Sequence, residues 1–555
     1  MKKWLNSGTP WIWLTASAVT VNVVIVAALV LLIAIRGLGH FWPAAVLEAQ
    51  YSEAEGQTTT IIGEIHDEET LLASHLPDYQ PSLLNKDGKE ANKRITRYLL
   101  KTGNRQQGLD FRWVFADGLQ NQYHPADVLV TERREWGNFY GYLQAVKENG
   151  QIVSEGPEAW AELQRRIDRA RQIFVQVRTI EKHEIGKINY AFEQLRLQQR
   201  RLELAHDTDP LKQAVIASDK AALQVQFAQL TEQLLKLQEE LGRDSFSAKT
   251  ADGQVVDISL AKVVRVYRPN SLSLLQKCQF YFTKLWEFTT DEPREANTEG
   301  GIFPAIFGTV IMVFIMSIIV TPFGVVAAVY LHEYAKQGLL TRVIRIAVNN
   351  LAGVPSIVYG VFGLGFFVYF IGSHLDQWFF PEALPSPTFG TGGIFWAAVT
   401  LALLTLPVVI VSTEEGLSRI PSSIREGSLA LGATKAETLW RTVLPMASPA
   451  MMTGLILAIA RAAGEVAPLM LVGVVKLAPS LVLDGNYPFL HLERKFMHLG
   501  FHIYDVGFQS PNVEAARPLV YMTSFLLVTV IITLNLTAIW IRNHLREKYK
   551  ALETA

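Results

Sequence analysis

Two charged residues stand where charge is expensive. Arg461 and Glu465 lie four apart within the long apolar run that begins at Met446, so on a helix they share one face. Counted from that start, Arg461 is ~22 Å along the helix, too deep to snorkel easily to a surface. A charge at such depth costs roughly 2.5–3.5 kcal/mol on insertion scales and usually faces a bundle interior or an aqueous path. An arginine there suits an oxyanion: its fork donates two parallel hydrogen bonds and never loses its charge. Glu465 can hold the guanidinium in one rotamer and moderate its grip on an anion. Ala462, Ala463 and Gly464 keep the helix slim, so a solute or a neighbouring helix can come close. The structural alternative is an internal ion pair that locks this helix to its neighbour.

A second set of residues has mechanical rather than chemical spacing. Ser423 and Glu426 have the S-x-x-E spacing of a capping box, Gly432 suits a left-handed helix end, and Thr434 and Glu437 repeat the box. Leu444 and Pro445 then lead into the apolar run. The spacing predicts two short helices joined by a rigid elbow at a membrane surface.

The elements that must position these residues are membrane spans. Six apolar runs reach the ~20 residues a bilayer requires: near 11–35, 303–331, 347–372, 393–413, 446–475 and 518–541. The first follows Met-Lys-Lys but is too long for a signal-peptide core, and reads as an uncleaved signal anchor over 1–37. Lys2 and Lys3 at one end, and Arg542, Arg546, Lys548 and Lys550 at the other, favour cytoplasmic termini. Six spans satisfy both. The loop 414–445 then falls inside, 546–555 is a cytoplasmic tail, and the polar block 38–298 falls outside. Asn349, Asn350, Ser356 and Tyr359 are polar groups expected within the third span, lining a path or bonding to other helices.

The chain has 555 residues, 49% of them hydrophobic, a net charge of −1 and a mean hydropathy of +0.18. That near-neutral balance gives no sign of nucleic-acid binding. One cysteine, Cys278, excludes an internal disulfide and a cysteine-rich metal site. No phosphate-binding G-x-x-x-x-G-K-[ST] loop is present, and Gly-Ala-Thr-Lys at 432–435 lacks its first glycine and spacing, so any ATP must be bound by another chain. No catalytic constellation and no metal site is visible, and no cofactor is expected in this chain.

Within the polar block, Trp160, Leu163, Ile167, Ala170, Phe174 and Val177, then Leu223, Phe227, Leu230, Leu234, Leu237 and Leu241, recur three and four apart. This predicts an antiparallel coiled-coil hairpin over 157–242, turning at His206–Pro210, its shorter arm roughly 45–50 Å long. Runs at Thr58–Ile62, Asp110–Phe115, Asp127–Thr131 and Val255–Val266 are β-prone, so the flanks are expected to form one small mixed α/β domain. Residues 271–289 read as a helix lying on the membrane.

The 421–445 stretch resembles the EAA loop of ABC importer permeases. Glu426, Gly432, Leu444 and Pro445 fall on the pattern, Gly427 and Ser428 replace its alanines, and Thr442 stands at its isoleucine. RAAGEVAPL, GGIFPAIFGTV (300–310), LHEYA (331–335) and VNNLAGVPSIVYGVFGLGFF (348–367) further resemble the phosphate-importer permease family, PstA. The resemblance implies a type I importer permease core over 299–545 in a bacterial inner membrane. It implies a coupling loop at 414–445 in which Ser423, Glu426, Gly432, Ala433, Leu444 and Pro445 contact the ATPase. It implies a phosphate path at Arg461 and Glu465, with Asn349 and Asn350 as candidates beside them. The implied partners are a PstC-like permease, a PstB-like ATP-binding dimer that holds ATP and Mg, a periplasmic PstS-like phosphate-binding protein, and membrane lipid. The resemblance does not reach residues 38–290. Another oxyanion as cargo, or a sensor without flux, stays open.

Overall fold

The computed structural model describes residues 8–52, 58–72, 94–105, 110–294, 297–510 and 513–553. Lys2 and Lys3 lie outside them, as do the side chains of Arg546, Lys548 and Lys550. The chain divides into two compact units, Phe41–Gly301 and a membrane unit that joins Met1–His40 to Ile302–Ala555.

In the Phe41–Gly301 unit the period-2 pattern is plain in β1 (Val46–Ser52), where Leu47, Ala49 and Tyr51 share one buried face. β1 pairs antiparallel with β2 (Thr58–Leu72), in register from Val46 opposite Glu64 to Ser52 opposite Thr58. With β3 (Arg94–Lys101), β4 (Phe111–Phe115) and β5 (Leu119–Tyr123) they form a sheet of order β4-β3-β2-β1-β5. A second antiparallel sheet comprises β6 (Leu129–Arg133), β7 (Phe139–Glu148), β8 (Gln151–Glu155), β9 (Asp244–Lys249), β10 (Val255–Ser259) and β11 (Val263–Tyr267), in the order β10-β9-β7-β6-β11 with β8 on β7. Val46 and Ile62 of the first sheet meet Val130 and Tyr140 of the second in a shared core.

Between β8 and β9 the chain runs out and back as helices. The outward arm is α2 (Ala159–Thr179), a π-helical turn, and α3 (Ile185–Leu204); the return arm is α4 (Pro210–Gly242), started by Pro210 and capped by the Asp209 carboxylate on the Leu211 amide. α3 and α4 pack together. The apolar stripe of α2 meets the second sheet as well as the return helix α4, whose Leu234 and Leu237 pack against the same cluster. Leu163, Ile167, Ala170 and Ile173 pack on Phe139, Val146, Phe246 and Val263 of the second sheet, with Leu241 of α4 at the edge. A sheet covers more of a helix stripe than one partner helix can, and it draws Ile173 inward while Phe174 takes the Arg134 guanidinium on its ring at 3.1 Å. After β11, α5 (Leu274–Thr290) opens with a complete capping box from Ser273 and Gln276.

The membrane unit is helical, and six of its helical segments are long and apolar enough to cross a bilayer: Trp11–Phe41, Phe303–Tyr334, Ser356–Phe379, Ile394–Ser418, Lys435–Gly464 and Val513–His544. Its α-helices are α1 (Thr9–Leu38), α6 (Phe303–Val329), α7 (Leu339–Leu351), α8 (Ser356–Phe362), α9 (Ser373–Phe379), α10 (Ile394–Ser418), α11 (Ser422–Ala430), α12 (Lys435–Thr438), α13 (Leu444–Gly464), α14 (Ala467–Val472), α15 (Leu499–Phe508) and α16 (Val513–Glu553). α6, α10 and α13 pack into the central core, where Met312, Met316, Leu401, Val409, Ala458 and Ala462 are buried. α1 crosses α16, and a Cβ on Gly37 would stand 2.7 Å from the Met522 Cα, a contact only a small residue permits.

The third span differs from the sequence expectation. It runs 356–379 rather than 347–372, because Pro355 has no N–H to give the Leu351 carbonyl and so starts a helix instead of kinking one. The residues before it form α7, a separate amphipathic helix with Leu339, Leu340 and Val343 exposed. The Tyr359 hydroxyl donates to the Leu351 carbonyl at 2.6 Å and so closes the elbow.

The α2 stripe anchors the Phe41–Gly301 unit. Leu163→Ala, at a fully buried position, is expected to remove about 2–5 kcal/mol. Hydrogen exchange in β7 and β9 of the intact chain checks this, with the membrane helices unchanged as the control.

Candidate functional site

α13 continues α12 through the π-helical turn Leu439–Val443, with Pro445 in its first turn. It ends at Gly464, and Glu465 is already extended, at φ −80° and ψ 134°. Pro468 cannot donate to the Gly464 carbonyl, so the apolar run expected as one span over 446–475 is a helix, a break and the short α14. Arg461 is therefore in the last turn of α13 and not deep within a continuous span. There its charge also complements the carbonyl end of the helix dipole.

Arg461 Nε lies 3.6 Å from Glu465 Oε1, with the two side chains 33% and 20% exposed. Among the described residues Arg461 has no partner besides Glu465, which leaves most of its fork open. Ala462 and Ala463 on the opposite side are wholly buried in the core, and the space beside Gly464 is open. α14 packs on α8: a Cβ on Gly360 would stand 2.7 Å from the Pro468 Cα. This brings Tyr359 within electrostatic range of Arg461. Asn349 and Asn350 are not brought inside a span. They are exposed at the end of α7, where the Asn350 carbonyl accepts the Gly353 amide at 3.0 Å.

The residues of the 414–445 loop form the elbow that their spacing predicts, with one correction. α11 starts at Ser422 with Pro421 in the cap position, so Ser423 lies within the first turn and the Ser423–Glu426 box does not form. Both side chains are exposed. Gly432 takes φ +90° and completes a Schellman end: its amide donates to the Leu429 carbonyl at 3.0 Å and the Ala433 amide to Ser428 at 3.3 Å. The Thr434–Glu437 box is complete, and the Ser428 and Thr438 hydroxyls join α11 to α12 at 2.9 Å.

Sequence reasoning missed what holds this elbow. Arg425 gives Nη1 to the Ile420 carbonyl and Nη2 to the Leu417 carbonyl, both at 2.7 Å, and pairs with Glu333 at 3.0 Å. Glu333, 11% exposed, lies in the π-helical turn Tyr330–Tyr334 that ends the second span, and its carbonyl also accepts the Lys435 ammonium. One arginine thus ties the ends of spans two and four to α11. The signal was the glutamate in LHEYA, a carboxylate at the very end of an apolar span.

Sequence reasoning also missed a polar cluster beside the break. Val466 packs on Gly500, whose amide donates to His498 Nδ1 at 3.1 Å and so caps α15. His498 is 1% exposed, its Nε2 has no partner among the described residues, and burial pushes its imidazole down to about 3. Near it lie Thr309, whose hydroxyl accepts the Leu499 amide at 2.9 Å, His502 beside Thr523, and a buried Asp505 paired with Lys476 at 3.0 Å.

Residues 320–551 match the family described as binding-protein-dependent transport system inner membrane component. A Mycobacterium tuberculosis protein (strain CDC 1551 / Oshkosh) named phosphate transport system permease protein PstA 1 is 36% identical over 245 residues, 44% of this chain and 71% of that protein. The Bacillus subtilis (strain 168) probable ABC transporter permease protein YqgI is 31% identical over 273 residues, covering 48% and 86%. A Methanocaldococcus jannaschii protein named as a probable phosphate transport system permease PstA is 30% identical over 197 residues, covering 35% and 63%.

Two outcomes follow from this geometry. Arg425→Ala removes three charge-assisted bonds, each worth roughly 1.5–3 kcal/mol. Amide exchange in 422–430 should then rise at least about tenfold, and Arg425→Lys, which cannot reproduce the fork, should rescue it only in part. The second concerns acid. Between pH 6.5 and 3 an unfolded His498 takes up a proton that the folded chain refuses, so stability falls as pH falls, by about 1.4 kcal/mol per unit. Thermal melts in detergent from pH 7 to 4.5 should show this loss. His498→Asn keeps an acceptor for Gly500 without titrating, and its slope should be flatter.

Proposed function

This chain belongs to the binding-protein-dependent permease family, among its PstA-type phosphate permeases, and we propose from that membership that it forms half of the translocation path of an ATP-driven phosphate importer. It is a multi-pass inner-membrane protein and a permease, working with an ATPase partner and a substrate-binding protein. A PstB-like dimer that binds ATP and Mg, a PstC-like permease and a PstS-like binding protein are the specific partners. The termini are cytoplasmic, and residues 41–301 are periplasmic.

The observation that carries the path is Arg461. Its fork is open, it is held loosely by one carboxylate, and it stands at a helix break beside open space. An incoming phosphate would draw two hydrogen bonds from the fork while Glu465 limits how tightly it is held. Release inward requires that grip to be modest, since a permease that bound tightly would not turn over. The break after Gly464 gives α13 and α14 freedom to separate around the anion.

The drive comes through the elbow. Closure of the ATPase pushes on α11 and α12, where Ser423, Glu426, Gly432 and Ala433 meet the partner. Arg425 passes the push to the ends of spans two and four together. Leu444 and Pro445 carry it into α13, whose far end holds Arg461. A single rigid helix thus joins the docking surface to the anion site.

The test is uptake of labelled phosphate in cells without their own high-affinity importer, expressing this chain with its partner proteins. Loss of two charge-assisted bonds predicts that Arg461→Ala lowers uptake roughly 100-fold or more. Excess sulfate should leave wild-type uptake unchanged. Uptake that survives in an assembled Arg461→Ala complex would make the ion pair structural, and competition by sulfate would reassign the cargo to another oxyanion.

A further inference from the structure

A helix on a water-soluble domain turns its apolar residues in and its charges out. α5 does the reverse. Lys284 pairs with Glu132 and Glu287 with Arg265, and these paired groups are turned inward, each between 11% and 19% exposed. Phe280 packs on Tyr267 at 4.7 Å between the same charges, and Phe288 is buried. The outward face carries Leu275 at 81%, Phe282 at 66% and Trp286 at 69% exposed, with Leu274 beside them at 72%. The three lie at i, i+7 and i+11, a single stripe of a 3.6-residue helix. Gln279 and Thr283 share the exposed side. A face of this composition left in water would be a large contiguous apolar patch.

The connections of the domain say what covers it. Residues 41 and 42 follow the first span directly, and both pack on α5: Phe41 against Phe288 at 5.0 Å, and Trp42 against Tyr281 at 6.1 Å. After α5 ends at Thr290 the chain re-enters the next span at Phe303. The helix is therefore held, by contacts within its own unit, to the segment that leaves the bilayer, and it directly precedes the segment that returns to it. Aromatic and leucine side chains on a helix at this level are the composition of an interfacial helix, whose tryptophan sits at the headgroup–acyl boundary. The inner ion pairs fix the roll of the helix, so the stripe cannot rotate back into the domain without breaking them.

We propose that the outer face of α5, formed by Leu275, Phe282 and Trp286, seats in the headgroup–acyl boundary of the bilayer and anchors the Phe41–Gly301 unit to the membrane surface. The anchor needs no partner protein and no particular headgroup, because it rests on apolar burial. It limits how far the unit can tilt about its two covalent connections.

Cys278, the only cysteine, makes the test direct. In a Cys278→Ser background, single cysteines replace Phe282, Trp286 or, as a control on the exposed outer arm, Val225. Each full-length protein is labelled with an environment-sensitive fluorophore and reconstituted into phosphatidylcholine nanodiscs. The expected result is a blue shift at 282 and 286 relative to 225, quenching there by nitroxide-labelled acyl chains, and poor quenching by aqueous iodide. Leu275→Cys replaces either variant that fails to assemble. Iodide quenching at all three α5 positions, with no effect of lipid nitroxide, would overturn the proposal. Protection that arises only when a substrate-binding protein is added would overturn it too, and would assign the face to a protein.

Discussion

A bilayer offers backbone groups no water, so every break in a membrane helix must find its hydrogen bonds within the protein or beside an aqueous cavity. This core breaks its helices at Pro355 and Pro468, and the two breaks are handled differently. At Pro355 the Leu351 carbonyl accepts both the Val354 amide and the Tyr359 hydroxyl, four residues into the new helix, and the elbow is closed. At Pro468 the chain passes through an extended Glu465 and leaves open space beside Gly464. The closed elbow makes a hinge of fixed shape, and the open one leaves space beside the helix. The small residues between them, Gly360 against Pro468 and Gly363 against Thr400, hold spans three, four and the α14 segment at near backbone contact. The geometry around Arg461 therefore follows from where two prolines withhold a donor.

The same economy governs the loop that joins spans four and five. Among the described residues Glu333, 11% exposed, keeps only the His332 ring at 3.0 Å as a side-chain partner without Arg425. Arg425 in turn uses its planar fork on two carbonyls at the end of the fourth span, groups that a helix end leaves without intrahelical donors. Three elements meet on one side chain, so α11 cannot move independently of spans two and four. That is a stiffer linkage than an amphipathic helix pair held by apolar contact alone, since ion pairs and forked hydrogen bonds fix direction as well as proximity.

Local features of this site were legible in the sequence wherever one residue type determines the backbone. Gly432 in the left-handed region and the Thr434–Glu437 box are of this kind, and both are present. The Ser423 box failed because Pro421, two residues upstream, starts the helix one residue early. Hydropathy placed the spans but not their ends. The run VAPLMLVGVV continues past Glu465 without a polar residue, so a window of mean hydropathy carries the span through a break that Gly464 and Pro468 impose. Asn349 and Asn350 were drawn into the third span by the same smoothing. The Arg425–Glu333 pair joins residues 92 apart, and no periodicity reports such a contact. In the Phe41–Gly301 unit the strands β1, β3, β7 and β9 fall outside the runs read as β-prone, although β1 carries a period-2 alternation, because short strands are fixed as much by their pairing partners as by their own propensity.

The α2 and α5 helices show why pattern alone is an incomplete guide even when it is strong. Both have a clear apolar stripe. That of α2 spans Leu163 to Val177 and is buried by a sheet as well as by α4, which its three-and-four spacing could not distinguish from burial by a second helix alone. That of α5 is exposed, and its polar face is the one turned inward. What separates the two is charge placement. On α2 Arg165 is 76% exposed, although Arg166 at 12% pairs inward with Asp244, whereas on α5 both Lys284 and Glu287 lie beneath the helix with partners from β6 and β11. A buried ion pair is a weak source of stability, because desolvation offsets most of its attraction. Its contribution here is orientation: two pairs set α5 in one roll angle, and that angle presents leucine and aromatic side chains outward. A domain that placed those charges outward would have a better-solvated surface and no reason to lie on a membrane.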